Sequence, residues 1–168
     1  MPSLFKRRSR VEFEVSPATF KTIGLAGIAG LRSMAAPALL ARAVRRGDLQ
    51  APNLPALGSP KVSTLLSLLA VGEMIADKTP LVPARTSAPA LLGRVLSGGL
   101  AGVTLFASEG RDKNSGAILG ALCATVAAYA GENFRTMGSE RLGLPNALLG
   151  ALEDMAVLAL GRRLLRRT

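Results

Sequence analysis

Histidine and tryptophan are absent from this 168-residue chain, aromatic residues make up only 4%, and there is one cysteine. Without histidine there is no Ser-His-Asp triad, no His-ligated zinc and no histidine proton relay. The lone Cys123 cannot form an intramolecular disulfide, so cysteine usage leaves the redox compartment open. Too few aromatics remain to stack bases, so the net charge of +10 does not read as a nucleic-acid surface. A signal-peptide h-region is also missing: the basic start MPSLFKRRSR runs into the alternating VEFEV. The first membrane segment is therefore expected to act as its own insertion signal.

What is abundant is small and apolar. Hydrophobic residues make up 49% of the chain, chiefly Ala, Leu and Val, alongside 18 glycines, and the mean hydropathy is +0.34. A soluble core of this length normally relies on large side chains to bury area. Helices that associate in a bilayer instead use small residues, because their contact depends on close backbone approach. The basic residues cluster between apolar runs, in FKRRSR, RAVRRG and GRRLLRR, as expected at the flanks of membrane segments.

Five apolar segments predict an all-α integral membrane bundle of about five transmembrane helices, with residues 1–16 a basic leader and 17–168 one helical membrane domain. The first segment runs from Phe20 to Val44, with Ser16-Pro17 as cap and first turn. As one helix it would reach about 38 Å, enough to span with tilt or a kink at Pro37. The second, VSTLLSLLAVGEMIADK, crosses fully only if Glu73 and Asp77 lie in or near the membrane. The third carries Arg94, Gly98 and Gly102. The fourth is free of charge from Asn114 to Gly131, and Gly116, Gly120, Ala124 and Ala128 repeat every fourth residue. That spacing makes one flat face for helix contact. Glu132 ends it, and a loop containing Arg135 is expected next. The fifth, Asn146 to Gly161, has Glu153 and Asp154 at its middle.

The ionisable residues inside these segments are Arg32, Glu73, Asp77, Arg94, Glu132, Glu153 and Asp154. An unpaired charge at the bilayer centre costs about 2.5–3.5 kcal/mol on insertion scales. Such groups persist when paired, protonated or used. Glu73 and Asp77, four apart, share a helix face, where they form either a cation or proton site or an interface marker with Glu73 paired to Arg32 or Arg94. Glu153 and Asp154 point about 100° apart and are expected to face inward. The economical scheme pairs Arg32 and Arg94 with some of Glu73, Glu132, Glu153 and Asp154, leaving excess acid for an ion, a proton or water. Gly24, Gly27 and Gly30 either expose carbonyls to a ligand or let helices pack closely. No nucleophile has an identifiable base, so no catalytic residue and no cofactor are assigned.

Two regularities remain. APALLAR at 36–42 recurs as APALLGR at 88–94, which a chain so rich in Ala and Leu produces by coincidence. With five crossings, nine Lys and Arg fall on one side and ten on the other. Either the chain inserts both ways, favouring an antiparallel dimer, or it does not cross five times.

The runs GLAGIAGLRSMAAPALLA, GEMIADKTPLVPART, GRVLSGGLAG, GAILGALCATVAAYAG and ALLGALEDMAV together resemble a family of small bacterial multi-pass membrane proteins, domain of unknown function four-one-two-six. The resemblance spans Gly24 to Gly161 and implies a bacterial inner-membrane location without a mechanism. Two functions are therefore carried forward. One is a transporter or channel for a cation, proton or small polar solute, with the seven charges as its polar interior. The other is an accessory subunit, homo-oligomeric or part of a larger membrane complex, whose charges are interhelical pairs and whose basic ends meet membrane lipid.

Overall fold

The computed structural model describes residues 16–77 and 86–165. The expected leader, apart from residue 16, and residues 78–85 and 166–168 lie outside the described residues. Among those described, the chain is all-α, with six α-helices and no strand: α1 Pro17–Leu31, α2 Ala35–Arg46, α3 Pro60–Ala76, α4 Ala88–Ser108, α5 Lys113–Leu142 and α6 Asn146–Leu164. A short 3₁₀ turn, Pro55–Gly58, precedes α3.

Ser16 caps α1 as its position predicts, its Oγ accepting from Thr19 N at 3.2 Å with Pro17 as the first helical residue. The expected continuous helix over 20–44 is instead two. Arg32 N still bonds Ile28 O at 2.8 Å, but Arg32 itself is extended (φ −141°, ψ 104°), and a new helix starts at Ala35. Pro37 explains where the break falls. Its ring cannot donate to the carbonyl four residues back, at Ser33, and would crowd it, so the regular helix must stop before that turn. In the first turn of α2 the missing N–H costs nothing.

After the break the chain turns back. A Cβ on Gly24 of α1 would meet Leu164, while one on Gly161 would meet Leu39 of α2, so both helices of the hairpin lie against the same end of α6. Leu57, Val62 and Leu66 pack with Ala41 and Val44, placing the start of α3 beside the end of α2. Arg111 in the α4–α5 turn donates to Ser16 Oγ and, at 2.8 Å, to Thr19 Oγ1, and it lies 4.4 Å from the Phe106 ring centroid. The six helices thus alternate in direction, and α6 ends beside the middle of α1.

α1, α4 and α5 pack most tightly. Gly98 and Gly102 of α4 lie against Gly120 and Gly116 of α5, so close that a Cβ on Gly102 would run into the Gly116 carbonyl and one on Gly120 into that of Gly98. Ala124 and Ala128 continue the face, fully buried, and meet Gly30 of α1. Gly24 and Gly30 are packing positions, while a Cβ on Gly27 would meet nothing within 4 Å. The outer surface is strongly apolar: Leu65, Leu68 and Ile75 of α3, Leu96 of α4, Val126 of α5 and Met155 of α6 are each more than half exposed.

The fold-back redistributes charge. Toward the end that holds Ser16 lie Lys21, Arg42, Arg45, Arg46, Lys61, Arg111, Lys113, Arg162 and Arg163, against the acids Asp48, Glu109 and Asp112. At the opposite end lie Arg32, Arg94, Arg135 and Arg141, against Glu73, Asp77, Glu132, Glu140, Glu153 and Asp154. The near-equal split of nine against ten assumed that residues 20–44 pass through once. With a hairpin there, the described residues make one end basic and the other acidic.

Candidate functional site

Five charges from four elements meet at the acidic end. Arg32, just past α1, is 1% exposed. Its Nη1 lies 2.7 Å from Asp77 Oδ2, at the C-cap of α3, and its Nη2 lies 2.8 Å from Asp154 Oδ1 of α6, the latter an ion contact without hydrogen-bond alignment. Asp77 also pairs with Arg135 Nη2 of α5. Arg135 in turn donates to Glu153 Oε2 from Nη2 at 2.9 Å and from Nε at 3.1 Å. The order Asp154, Arg32, Asp77, Arg135, Glu153 alternates in sign, so each interior member of the chain has opposite charge on both sides. In a low-dielectric interior that alternation is what allows buried ions to persist.

Glu73 has a different task. Its Oε1 accepts from Ser33 N at 2.8 Å and Ser33 Oγ at 2.9 Å, and its Oε2 accepts from Met34 N at 2.8 Å. These amides are exposed by the break before α2, and a carboxylate there also complements the positive end of that helix. The expected pairing of Glu73 with Arg32 or Arg94 is thereby corrected: three donors at the hairpin turn occupy it. Glu73 and Asp77 do share one side of α3, but Glu73 holds the turn while Asp77 holds the arginines.

Glu132 Oε2 accepts from Thr86 N at 3.1 Å, tying α5 to the start of α4. Arg94, 6% exposed, donates from Nη1 to Ala90 O of its own helix at 3.2 Å. Glu153 and Asp154 both point inward, to different arginines.

Arg135 is the member that the sequence pattern misplaces. The apolar run ends at Gly131, but α5 continues as a helix to Leu142, where Gly143 at φ 62° caps it. Of the polar residues in this extension, Glu132 and Arg135 face partners across the fold. Gly143-Leu144-Pro145 was the available signal, since a left-handed glycine followed by proline ends a helix. Among the described residues, with Arg135 counted, two arginines serve three acids, and Glu73 and Glu132 are used by backbone amides. The excess of acid expected from Arg32 and Arg94 alone shrinks accordingly. Among the described residues no group of three or more Cys, Asp or Glu is placed to hold a metal ion.

The family model of a domain of unknown function (DUF4126) matches residues 20–162. The chain belongs to this family. Within this DUF4126 chain the match takes in both halves of the broken hairpin and all five charges of the network. No curated protein and no solved structure matches it. Two of its helices, α4 and α5, are long and apolar enough to cross a membrane.

Proposed function

We propose that the protein is a multi-pass transporter of the bacterial plasma membrane for protons or a small polar solute, with the five-charge network as the gate at one end of its pathway. The apolar outer surface of α3, α4, α5 and α6 supports a lipid environment, because helices that are hydrophobic on their outward faces need lipid or another protein against them. The basic end then faces the cytoplasm, following the bias of Lys and Arg in membrane proteins.

The observation that carries the reading is a helix break inside an apolar bundle, with ions from four elements gathered beside it. Non-helical backbone at membrane depth is tolerated where protein buries it or where it lines a cavity, and broken helices of this kind hold substrate sites in transporters. About 16 residues separate Ser16 from Arg32, or about 24 Å of helix, which puts the network near the far interface and not at the midplane. Glu153 and Asp154 look central in α6 only because its first two turns stand beside the extension of α5, where Leu149 packs against Gly138. Behind the network, Arg32 Nε, Ser97 Oγ and Thr22 Oγ1 are buried without hydrogen-bond partners. They lie at successive levels toward the basic end, as a wet or solute-lined path would require.

The competing reading, an accessory subunit whose charges only tie helices together, is favoured by the pairing of the network ions. The two separate in proteoliposomes carrying a pH-sensitive dye and a potassium diffusion potential. Glu153→Gln with Asp154→Asn is expected to change the proton flux at least tenfold in protein that still elutes as a folded, monodisperse species, with a fall in melting temperature from the two lost partners. Flux through the double variant within twofold of wild type, or no flux above empty vesicles in either, would return the network to a structural role.

A further inference from the structure

We infer that the groove between the last turns of α2 and α6 is a binding site for the phosphate of an anionic phospholipid headgroup. This rests on the membrane reading above. The groove has a volume of about 310 Å³, and Arg42 and Arg46 of α2 and Arg162 of α6 line it, with Asp48 as its only acid. Arg42 and Arg46 are one helical turn apart and so project on one side of α2. The second helix brings Arg162 to the same place.

Basic residues in the last turn of a helix have a simple use, since they complement the negative end of its dipole. Arg45 and Arg163 also lie in these last turns, and they do not line the groove. The dipole does not require three guanidinium groups from two helices to converge on one carboxylate. Like charges brought together in this way repel unless an anion lies among them, and guanidinium forks match phosphate oxygens in pairs. The remaining walls point to a lipid rather than a free ion. Leu39 and Leu158 line the groove about one turn before Arg42 and Arg162 on their helices, giving an acyl chain an apolar surface beneath the headgroup, and Leu165 borders it at the end of α6. The groove also lies at the basic end, where the cytoplasmic leaflet presents its anionic lipids.

The test uses the full-length protein in an uncharged detergent, titrated with dioctanoyl phosphatidylglycerol, dioctanoyl phosphatidylcholine or inorganic phosphate while melting is followed. Phosphatidylglycerol is expected to raise the melting temperature saturably and phosphatidylcholine to leave it unchanged. Arg42→Gln with Arg162→Gln should weaken the phosphatidylglycerol effect at least tenfold. Arg45→Gln with Arg163→Gln, an equal loss of charge outside the groove, should leave it within twofold. Equal weakening in both pairs would overturn the site in favour of general surface charge, and a full effect from inorganic phosphate alone would overturn the lipid. Flotation of wild-type protein with phosphatidylcholine vesicles reports separately on the membrane reading, which fails if the protein stays in the aqueous fraction without detergent.

Discussion

The seam between α4 and α5 and the network beside the α1–α2 break hold the same bundle by opposite means. At the seam there is almost nothing: glycine faces glycine, and stability comes from backbones approaching closer than any side chain would permit. At the break there is a surplus of chemistry, with two guanidinium groups and three carboxylates compensating one another and a further carboxylate satisfying free amides. The seam tolerates no added volume. The network tolerates no lost partner.

The largest effect is therefore expected at the seam. Gly102→Leu places a branched side chain against the fixed carbonyl of Gly116, and overpacking of about 1–3 kcal/mol in ordinary cores becomes larger where only backbone is available to move. No folded, monodisperse protein should be recovered by size exclusion in detergent. Gly27→Ala, with open space around its Cβ, should by contrast hold or raise the melting temperature by the helical preference of Ala over Gly, about 0.5–1 kcal/mol. Failure of both variants alike would mean that glycine content, and not contact, governs the fold.

Next comes Arg32→Ala. Removing one member of a buried ion pair costs about 3–5 kcal/mol, because the partner stays buried without compensation. Here two partners, Asp77 and Asp154, lose their guanidinium at once. A large fall in melting temperature is expected at neutral pH, with partial recovery when Asp154→Asn removes one of the stranded charges. Lack of any recovery would indicate that Arg32 acts through packing alone.

The smallest effect tests a third kind of contact, at the exposed turn between the two seam helices. The Asp112 carboxylate accepts from Ser115 Oγ and from the amides of Ser115 and Asn114, which hold its pKa below the ordinary value of 3.8. A depressed carboxylate stabilises the fold above its ordinary pKa, and that contribution is lost as pH falls through the lowered folded value. Asp112→Ala should thus melt slightly below wild type at pH 7, and the two curves should converge in acid. A difference that persists in acid would assign the effect to helix propensity.

The seam was readable because its information is local and periodic. Gly116, Gly120, Ala124 and Ala128 recur at the spacing of one helix face, and so do Gly98 and Gly102 on the partner. The network was readable only in its membership. Arg32, Asp77, Glu153 and Asp154 announce themselves as charges in apolar runs, but their pairing depends on which helix ends meet. Arg135 stayed hidden because hydropathy falls three residues before it, while helix formation needs only that no breaker intervene. Glu73 and Asp77 show the same limit: spacing puts them on one face but does not say that one serves amides and the other arginines.

By itself the sequence determined the helical class, the close-packed face of α4 and α5, the Ser16 cap and the presence of compensated charge in an apolar bundle, since each follows from residue type and spacing along one helix. Only the tertiary structure decided that residues 20–44 turn back at Arg32, that α5 reaches far enough to bring Arg135 to Asp77, and that the basic residues gather at one end. The physical reason is common to all three. They depend on what lies across the fold from a helix end, where Glu73 can take up free amides and an acid can meet a distant arginine, and no period within a single segment records that.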